Sequence, residues 1–189
     1  MKRSELLNKI NDGFAAMYGG EFVPGCGKED ASVMLIGEAP GKDEVREGIP
    51  FVGKAGKNLD EFLSYTGLER DDIYITNAVK TRPVRISAKG TVSNRPPTNR
   101  ELLAARELLL SEIAAVSPGV IVTLGNTPLR SVTGDMKASI GGVHGRPVLT
   151  EAGLTVFPLY HPASIIYNRA LKETYMRDLD ALKAFIESM

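Results

Sequence analysis

The chain has 189 residues, 43% of them hydrophobic and 24% charged, values that fit a globular core and exclude disordered and fibrous classes. Its 23 basic and 23 acidic residues cancel, so the total charge does not point to a strongly basic, non-specific nucleic-acid binder. A single cysteine, Cys26, excludes an internal disulfide and a cysteine-based metal cage, and no apolar run approaches the roughly 20 residues that span a bilayer.

The opening Met1-Lys2-Arg3-Ser4-Glu5-Leu6-Leu7 turns charged again at Lys9 and Asp12, which reads as a cytoplasmic protein without a signal peptide or membrane partner. Residues 4–18 place Leu6, Leu7, Ile10, Phe14 and Met17 at helical spacing. Val33-Met34-Leu35-Ile36 is a short continuous apolar run, the pattern of a strand buried on both faces of a parallel sheet. A loop rich in Gly and Pro occupies 37–53, after which Leu59, Phe62, Leu63 and Thr66 mark a helix closed by Gly67. Ile73-Tyr74-Ile75-Thr76 is a second strand, followed by a loop containing Gly90 and Pro96-Pro97. Thr98-Asn99-Arg100-Glu101 has the capping-box order before a helix reaching about Val116. Val120-Ile121-Val122-Thr123-Leu124 is a third strand, and Gly125-Asn126 opens a short helix. Residues 146–158 read as a hairpin turning at Glu151-Ala152-Gly153 and leading to His161, and a last helix covers about 170–187.

This alternation predicts a single three-layer α/β/α domain, residues 1–189, around a central, mainly parallel four-stranded sheet. In such sheets function gathers at the carboxyl ends of the strands, which singles out the loops after Ile36, Thr76 and Tyr160. A second signal is charge. Residues 80–106 hold seven basic residues against one acid, Glu101, a local excess of six that can follow a phosphate backbone or simply face solvent.

The three loops hold the least ordinary residues. The first reads Gly37-Glu38-Ala39-Pro40-Gly41-Lys42-Asp43-Glu44, then Pro50-Phe51-Val52-Gly53-Lys54-Ala55-Gly56. The second strand ends Tyr74-Ile75-Thr76-Asn77, and the last loop opens His161-Pro162-Ala163-Ser164. This ordered set, spanning about 33–166, resembles family 4 uracil-DNA glycosylases, whose signatures are GEAPG or GEGPG, PFVGxAG, a strand ending in ITN, and HPA.

The resemblance implies hydrolysis of the N-glycosidic bond of uracil in DNA, leaving an abasic site, by an enzyme acting as a monomer on DNA with a damaged base. It implies Glu38 and His161 as catalytic residues, the carboxylate near the sugar and its water, the imidazole on the uracil O2 as negative charge grows there. It implies a base pocket of Ala39, Glu44, Phe51 and Asn77. In that pocket Phe51 stacks on the flipped base, Asn77 offers a donor and an acceptor to the imide edge, and Glu44 crowds the C5 side. DNA contacts fall on Lys80, Arg82 and Ser164, with Ile165 and Ile166 as an apolar wedge for the gap left by the flipped nucleotide. The Gly-Gly-Val-His-Gly segment around His144 resembles a family turn that approaches DNA phosphates, and no catalytic role falls on His144.

Two departures stand out. Family 4 members hold a four-iron–four-sulfur cluster through four cysteines. Here the third and fourth positions fall at Thr81 and near Ala105, and the N-terminal helix has no cysteine pair, so no iron–sulfur centre or other metal is expected. The expected replacement is apolar packing of the N-terminal helix, with a mobile loop around Gly90. The family's Arg after the HPA motif is also replaced, because Tyr167 follows Ile166. Three other functions compete with uracil excision: a glycosylase for another deaminated base such as hypoxanthine, a non-catalytic nucleic-acid- or nucleotide-binding module that kept the pocket, and a small-molecule enzyme on the same doubly wound fold. No GxGxxG or GxxxxGK[ST] loop indicates a nucleotide cofactor.

Overall fold

The computed structural model of the chain describes residues 2–19 and 22–189, with the side chains of residues 55, 165–167 and 169 outside the description. In chain order the elements are α1 (Arg3–Tyr18), β1 (Cys26–Gly27), β2 (Val33–Gly37), α2 (Lys42–Glu47) and α3 (Gly53–Thr66). A 3-10 turn (Arg70–Asp72) leads to β3 (Tyr74–Asn77), β4 (Val84–Ile86), β5 (Val92–Asn94), α4 (Asn99–Val116) and β6 (Val120–Leu124). Then come α5 (Asn126–Thr133), α6 (Ile140–Val143), β7 (Val148–Leu149), β8 (Thr155–Leu159), α7 (Pro162–Tyr167) and α8 (Lys172–Glu187).

The main sheet has the order β1-β3-β2-β6-β8-β7. Its central strands β3, β2, β6 and β8 are parallel, in the registers Leu35↔Ile75, Leu35↔Val122 and Val122↔Phe157. This is the four-stranded centre that the sequence pattern predicts. Two-residue antiparallel strands flank it, β1 on β3 and β7 on β8. A two-residue strand is too short to show a period, so β1 leaves no mark in the sequence.

Continuous apolar runs form these strands because both sheet faces are covered. On one face Met34, Ile36 and Ile121 pack with Phe14 of α1, Leu109 and Ile113 of α4 and Leu129 of α5. On the other, Leu35, Ile75, Val122 and Phe157 pack with Leu59 and Phe62 of α3 and Leu179 and Leu182 of α8. Each buried side chain of this size contributes roughly 1.5–3 kcal/mol. The capping box of α4 is present: Thr98 N–H donates to Glu101 Oε2 at 2.7 Å, and Glu101 N–H donates to Thr98 Oγ1 at 3.3 Å.

Two segments expected as loops contain structure. Within 37–53 lies α2, opened by Glu44, whose Oε2 accepts from Gly41 N–H at 3.0 Å. The segment around Gly90 is a hairpin of its own, β4 paired with β5, closed by Gly90 N–H on Ser87 O at 2.9 Å. Among the described residues no helix is long and apolar enough to cross a membrane.

Candidate active site

The chain passes from β2 to β3 on one side and later returns to β6 on the other side of β2. A parallel sheet leaves a crevice at the carboxyl ends where the strand order reverses in this way. A cavity of about 530 Å³ lies there, lined by Glu38 and Ala39 after β2, Asn77 at the end of β3, Asn126 and Thr127 after β6, and His161 after β8. Glu44, Phe51 and Ser164 complete its walls, with Pro96, Arg130 and Tyr160 also on the lining. The motif residues of three separate loops therefore converge on one space.

Several local devices fix these side chains. A Cβ on Gly37 would overlap both Phe51 Cζ and Asn77 Oδ1, so only glycine lets the ring and the amide approach each other here. Phe51 has φ 55, a left-handed value that non-glycine residues rarely adopt and that costs on the order of 1–3 kcal/mol. Arg70 holds that conformation: its Nη2 donates to Phe51 O at 3.0 Å and Gly56 O at 3.2 Å, while its Nε meets Asp60 at 2.8 Å. Asn77 is 4% exposed, and the backbone beyond it ties β3 to the first loop through Ala78 N–H on Gly37 O and Val79 N–H on Glu38 O.

Glu38 is half-buried, and its Oε2 accepts from Thr127 Oγ1–H at 2.6 Å. The other carboxylate oxygen has no partner among the described residues and is left for the cavity. His161 caps α7, its Nδ1 accepting from Ala163 N–H at 3.1 Å. A ring nitrogen that accepts carries no proton, so Nε2 bears the N–H of the neutral imidazole. Burial lowers the pKa of His161, which favours that neutral form.

Lys80 departs from expectation. Placed against DNA by the sequence reading, it is instead fully buried beneath β3, its Nζ donating to Glu112 Oε2 at 2.6 Å and to Thr76 Oγ1. Burial pushes its pKa down against the pull of the Glu112 carboxylate. Tyr74 donates to Glu112 Oε1 at 3.0 Å, and Thr76 Oγ1 lies 3.3 Å from both Glu112 oxygens, so the network closes on itself. A buried, paired ammonium is not available to a phosphate. Arg82 is half-buried and gives its Nε to Asn94 Oδ1 at 2.7 Å, outside the cavity. The side chains of Ile165 and Ile166 lie outside the described residues. His144 pairs with Asp178 at 2.8 Å and tilts against Tyr160, behind the cavity wall.

Thr127 and Arg70 went unnoticed in the sequence. For Thr127 a signal exists, since Gly125-Asn126-Thr127 also follows a parallel strand at its carboxyl end. For Arg70 there is none, because its role depends on an approach of the chain that only the fold creates.

The residues present do not fit an iron–sulfur cluster. The chain has one thiol, that of Cys26, which sits on β1 with its pKa raised by burial, and Ala105 is buried in the α4 core face. Among the described residues no group of three His, Cys, Asp or Glu is placed to hold a metal ion. The N-terminal helix reaches the segment after β3 in another way: Phe14 stacks with Tyr18 and Phe22, Lys80 Nζ lies 5.0 Å from the Phe14 ring centre, and Val23 N–H donates to Lys80 O.

Residues 24–183 match the family described as the uracil DNA glycosylase superfamily. The chain is 38% identical over 167 residues to a type-4 uracil-DNA glycosylase of Thermotoga maritima, covering 87% of this chain and 83% of that protein. It is 39% identical over 163 residues to a type-4 uracil-DNA glycosylase of Archaeoglobus fulgidus, covering 83% and 78%. In fold it is similar to the crystal structure of SMUG2 from Pedobacter heparinus, with a TM-score of 0.54 at 16% identity over 97% of this chain and 85% of that one. The chain belongs to the uracil-DNA glycosylase superfamily and is a glycosylase of that family, a hydrolase of N-glycosyl bonds.

Proposed function

We propose that the chain excises uracil from DNA with Glu38, Asn77, Phe51 and His161 as its working residues. The observation that carries this reading is their convergence on one cavity, with Glu38 and His161 each held by one protein hydrogen bond and the Asn77 amide left without a side-chain partner among the described residues. The flipped uracil stacks on Phe51 and pairs its imide edge with Asn77, which can donate and accept at once. Glu44, 6% exposed and fixed by Gly41 N–H, fills the side of the pocket next to the ring and excludes a 5-methyl group.

As the bond from C1′ to N1 breaks, its electron pair leaves with the base and spreads onto O2. The Nε2–H of His161 hydrogen-bonds that oxygen without giving up its proton, a stabilisation that grows in the transition state. Glu38, with one oxygen held by Thr127, uses the other to orient a water towards C1′ and stabilises the positive sugar. The water oxygen bonds C1′ as one of its protons passes to the free Glu38 oxygen and on to solvent, and the departing uracil anion takes up a proton from solvent. Ser164 and Arg130 line the same cavity and are the side chains offered to the DNA strand that carries the flipped base.

The test is excision from oligonucleotides bearing one uracil, hypoxanthine, xanthine or thymine, read by alkaline cleavage of the abasic product. Uracil excision without thymine excision is the expected result. Cleavage at hypoxanthine or xanthine alone keeps the mechanism and moves the base preference. No cleavage at any lesion by folded protein sinks the reading in favour of a binding module.

A further inference from the structure

The hairpin of β4 and β5 stands apart from the main sheet, and nothing in the excision chemistry uses it. It exposes two aliphatic side chains directly opposite each other, Ile86 at 67% and Val92 at 50%. Two β-branched residues bared on a two-stranded ribbon cost burial that the core elsewhere obtains, so the pair calls for an occupant. Around them, residues 82–95 carry four basic side chains and no acidic one. Arg82 is committed to Asn94 and Arg95 to Glu101, which leaves Arg85 and Lys89 outward and without protein partners among the described residues.

The foot of the ribbon is fixed to the active-site mouth. Pro96 lines the cavity, and Asn94 Nδ2 stands beside Gly41, 3.6 Å from where a Cβ there would lie. Asn94, Val92 and the paired Ile86 share one face of the ribbon by the period of two, while Arg85 and Ser93 share the other. The apolar pair therefore lies on the face that Asn94 turns toward the cavity mouth, while Arg85 projects from the opposite face and Lys89 sits in the turn between the strands. A ribbon of this kind, aliphatic on one face and cationic at its turn and far face, matches a DNA strand whose stack has been opened: bared base faces and sugars against the aliphatic face, phosphates on the cationic side.

We infer that the β4–β5 ribbon is a second DNA-gripping element, in which Ile86 and Val92 pack on the bases beside the extruded nucleotide and Arg85 and Lys89 hold its phosphates. The inference rests on the substrate being DNA, as proposed above, but not on bond cleavage.

The experiment measures binding of fluorescent oligonucleotides carrying a non-cleavable abasic analogue, across a potassium chloride series, for wild type, Ile86→Ser/Val92→Ser and Arg85→Ala/Lys89→Ala. All four positions are exposed and outside the core, so both variants should keep the wild-type melting temperature, which is checked alongside. Arg85→Ala/Lys89→Ala should flatten the log–log salt slope by about 2 on duplex, as expected for two lost phosphate contacts. Ile86→Ser/Val92→Ser should weaken binding about 5- to 10-fold with the slope unchanged, the mark of an apolar contact to bases. Unchanged affinity in the Ser variant overturns the inference, as does a wild type that binds no DNA. A wild-type dimer that the Ser variant dissociates overturns it too, because the pair would then be a contact between copies. If wild type excises uracil while the Ser variant binds normally, the ribbon inference falls and the enzyme reading stands. If wild type binds but excises nothing and the Ser variant binds weakly, the enzyme reading falls and the ribbon stands.

Discussion

Thr76 and Asn77 are neighbours on β3, yet they belong to two polar regions with opposite character. Under the sheet, Thr76, Lys80, Glu112 and Tyr74 satisfy one another completely and are sealed from solvent. At the carboxyl ends of the strands, Glu38, Glu44 and His161 each have one side of the group fixed by the protein and the other side turned to an open cavity. Asn77 has no side-chain partner among the described residues. The first arrangement holds β3 to α4. The second stores hydrogen-bonding capacity for something that arrives. The completeness of pairing, more than burial itself, separates a structural polar cluster from a working one.

The two regions should respond differently to substitution. Lys80→Met leaves the Glu112 carboxylate buried and unpaired, and should cost about 3–5 kcal/mol in denaturant unfolding. Lys80→Met/Glu112→Met should recover most of that loss. Equal instability of single and double variants would show that the pair is not closed as described. His161→Ala and Asn77→Ala, in the open region, should lower single-turnover excision of uracil by about 10²- to 10³-fold, each with little change in melting temperature. A large loss of stability in either variant would move that residue into the structural class.

Thr127→Val sharpens the contrast, because it removes the hydrogen bond that the described residues make to the Glu38 carboxylate and keeps the shape of the side chain. About a tenfold fall in kcat at unchanged KM is expected, the size of a hydrogen bond to a charged group. The smallest effect is in pH. Burial depresses the pKa of His161, so as pH falls below about 6.5 an unfolded histidine takes a proton before the folded one does. The stability associated with His161 is therefore full above that pH and is lost as pH falls through the window down to the folded value. Stability curves of wild type and His161→Ala should diverge in that window alone, and the acid limb of wild-type excision should lie below the ordinary histidine pKa.

The open region was the more legible of the two. Glycine, proline, Asn77 and His161 stand out because they interrupt apolar runs at strand ends, where a parallel sheet places its ligands. The closed region was misread because residues 80–106 form one basic stretch in sequence but not in space. Lys80 turns inward beneath β3, while Arg85 and Lys89 turn outward on the ribbon. A signal for the inward turn exists in Glu112, which takes a place on the stripe of Leu102, Ala105, Leu109 and Val116 where only apolar residues belong. A carboxylate on that stripe demands a buried cation, but nothing local says which one. The ribbon itself follows from Arg85-Ile86-Ser87 and Gly90-Thr91-Val92, β-branched residues flanking a glycine turn, a pattern outweighed by the charge around it.

The most direct measurement is single-turnover release of uracil from a uracil-containing oligonucleotide by wild type, Glu38→Ala and His161→Ala, each confirmed as folded. Release by wild type, reduced by about two orders of magnitude or more in both variants, is the expected result. Release that survives both substitutions unchanged, or no release by wild type, would contradict the assignment of this cavity as the site where the glycosidic bond is cut.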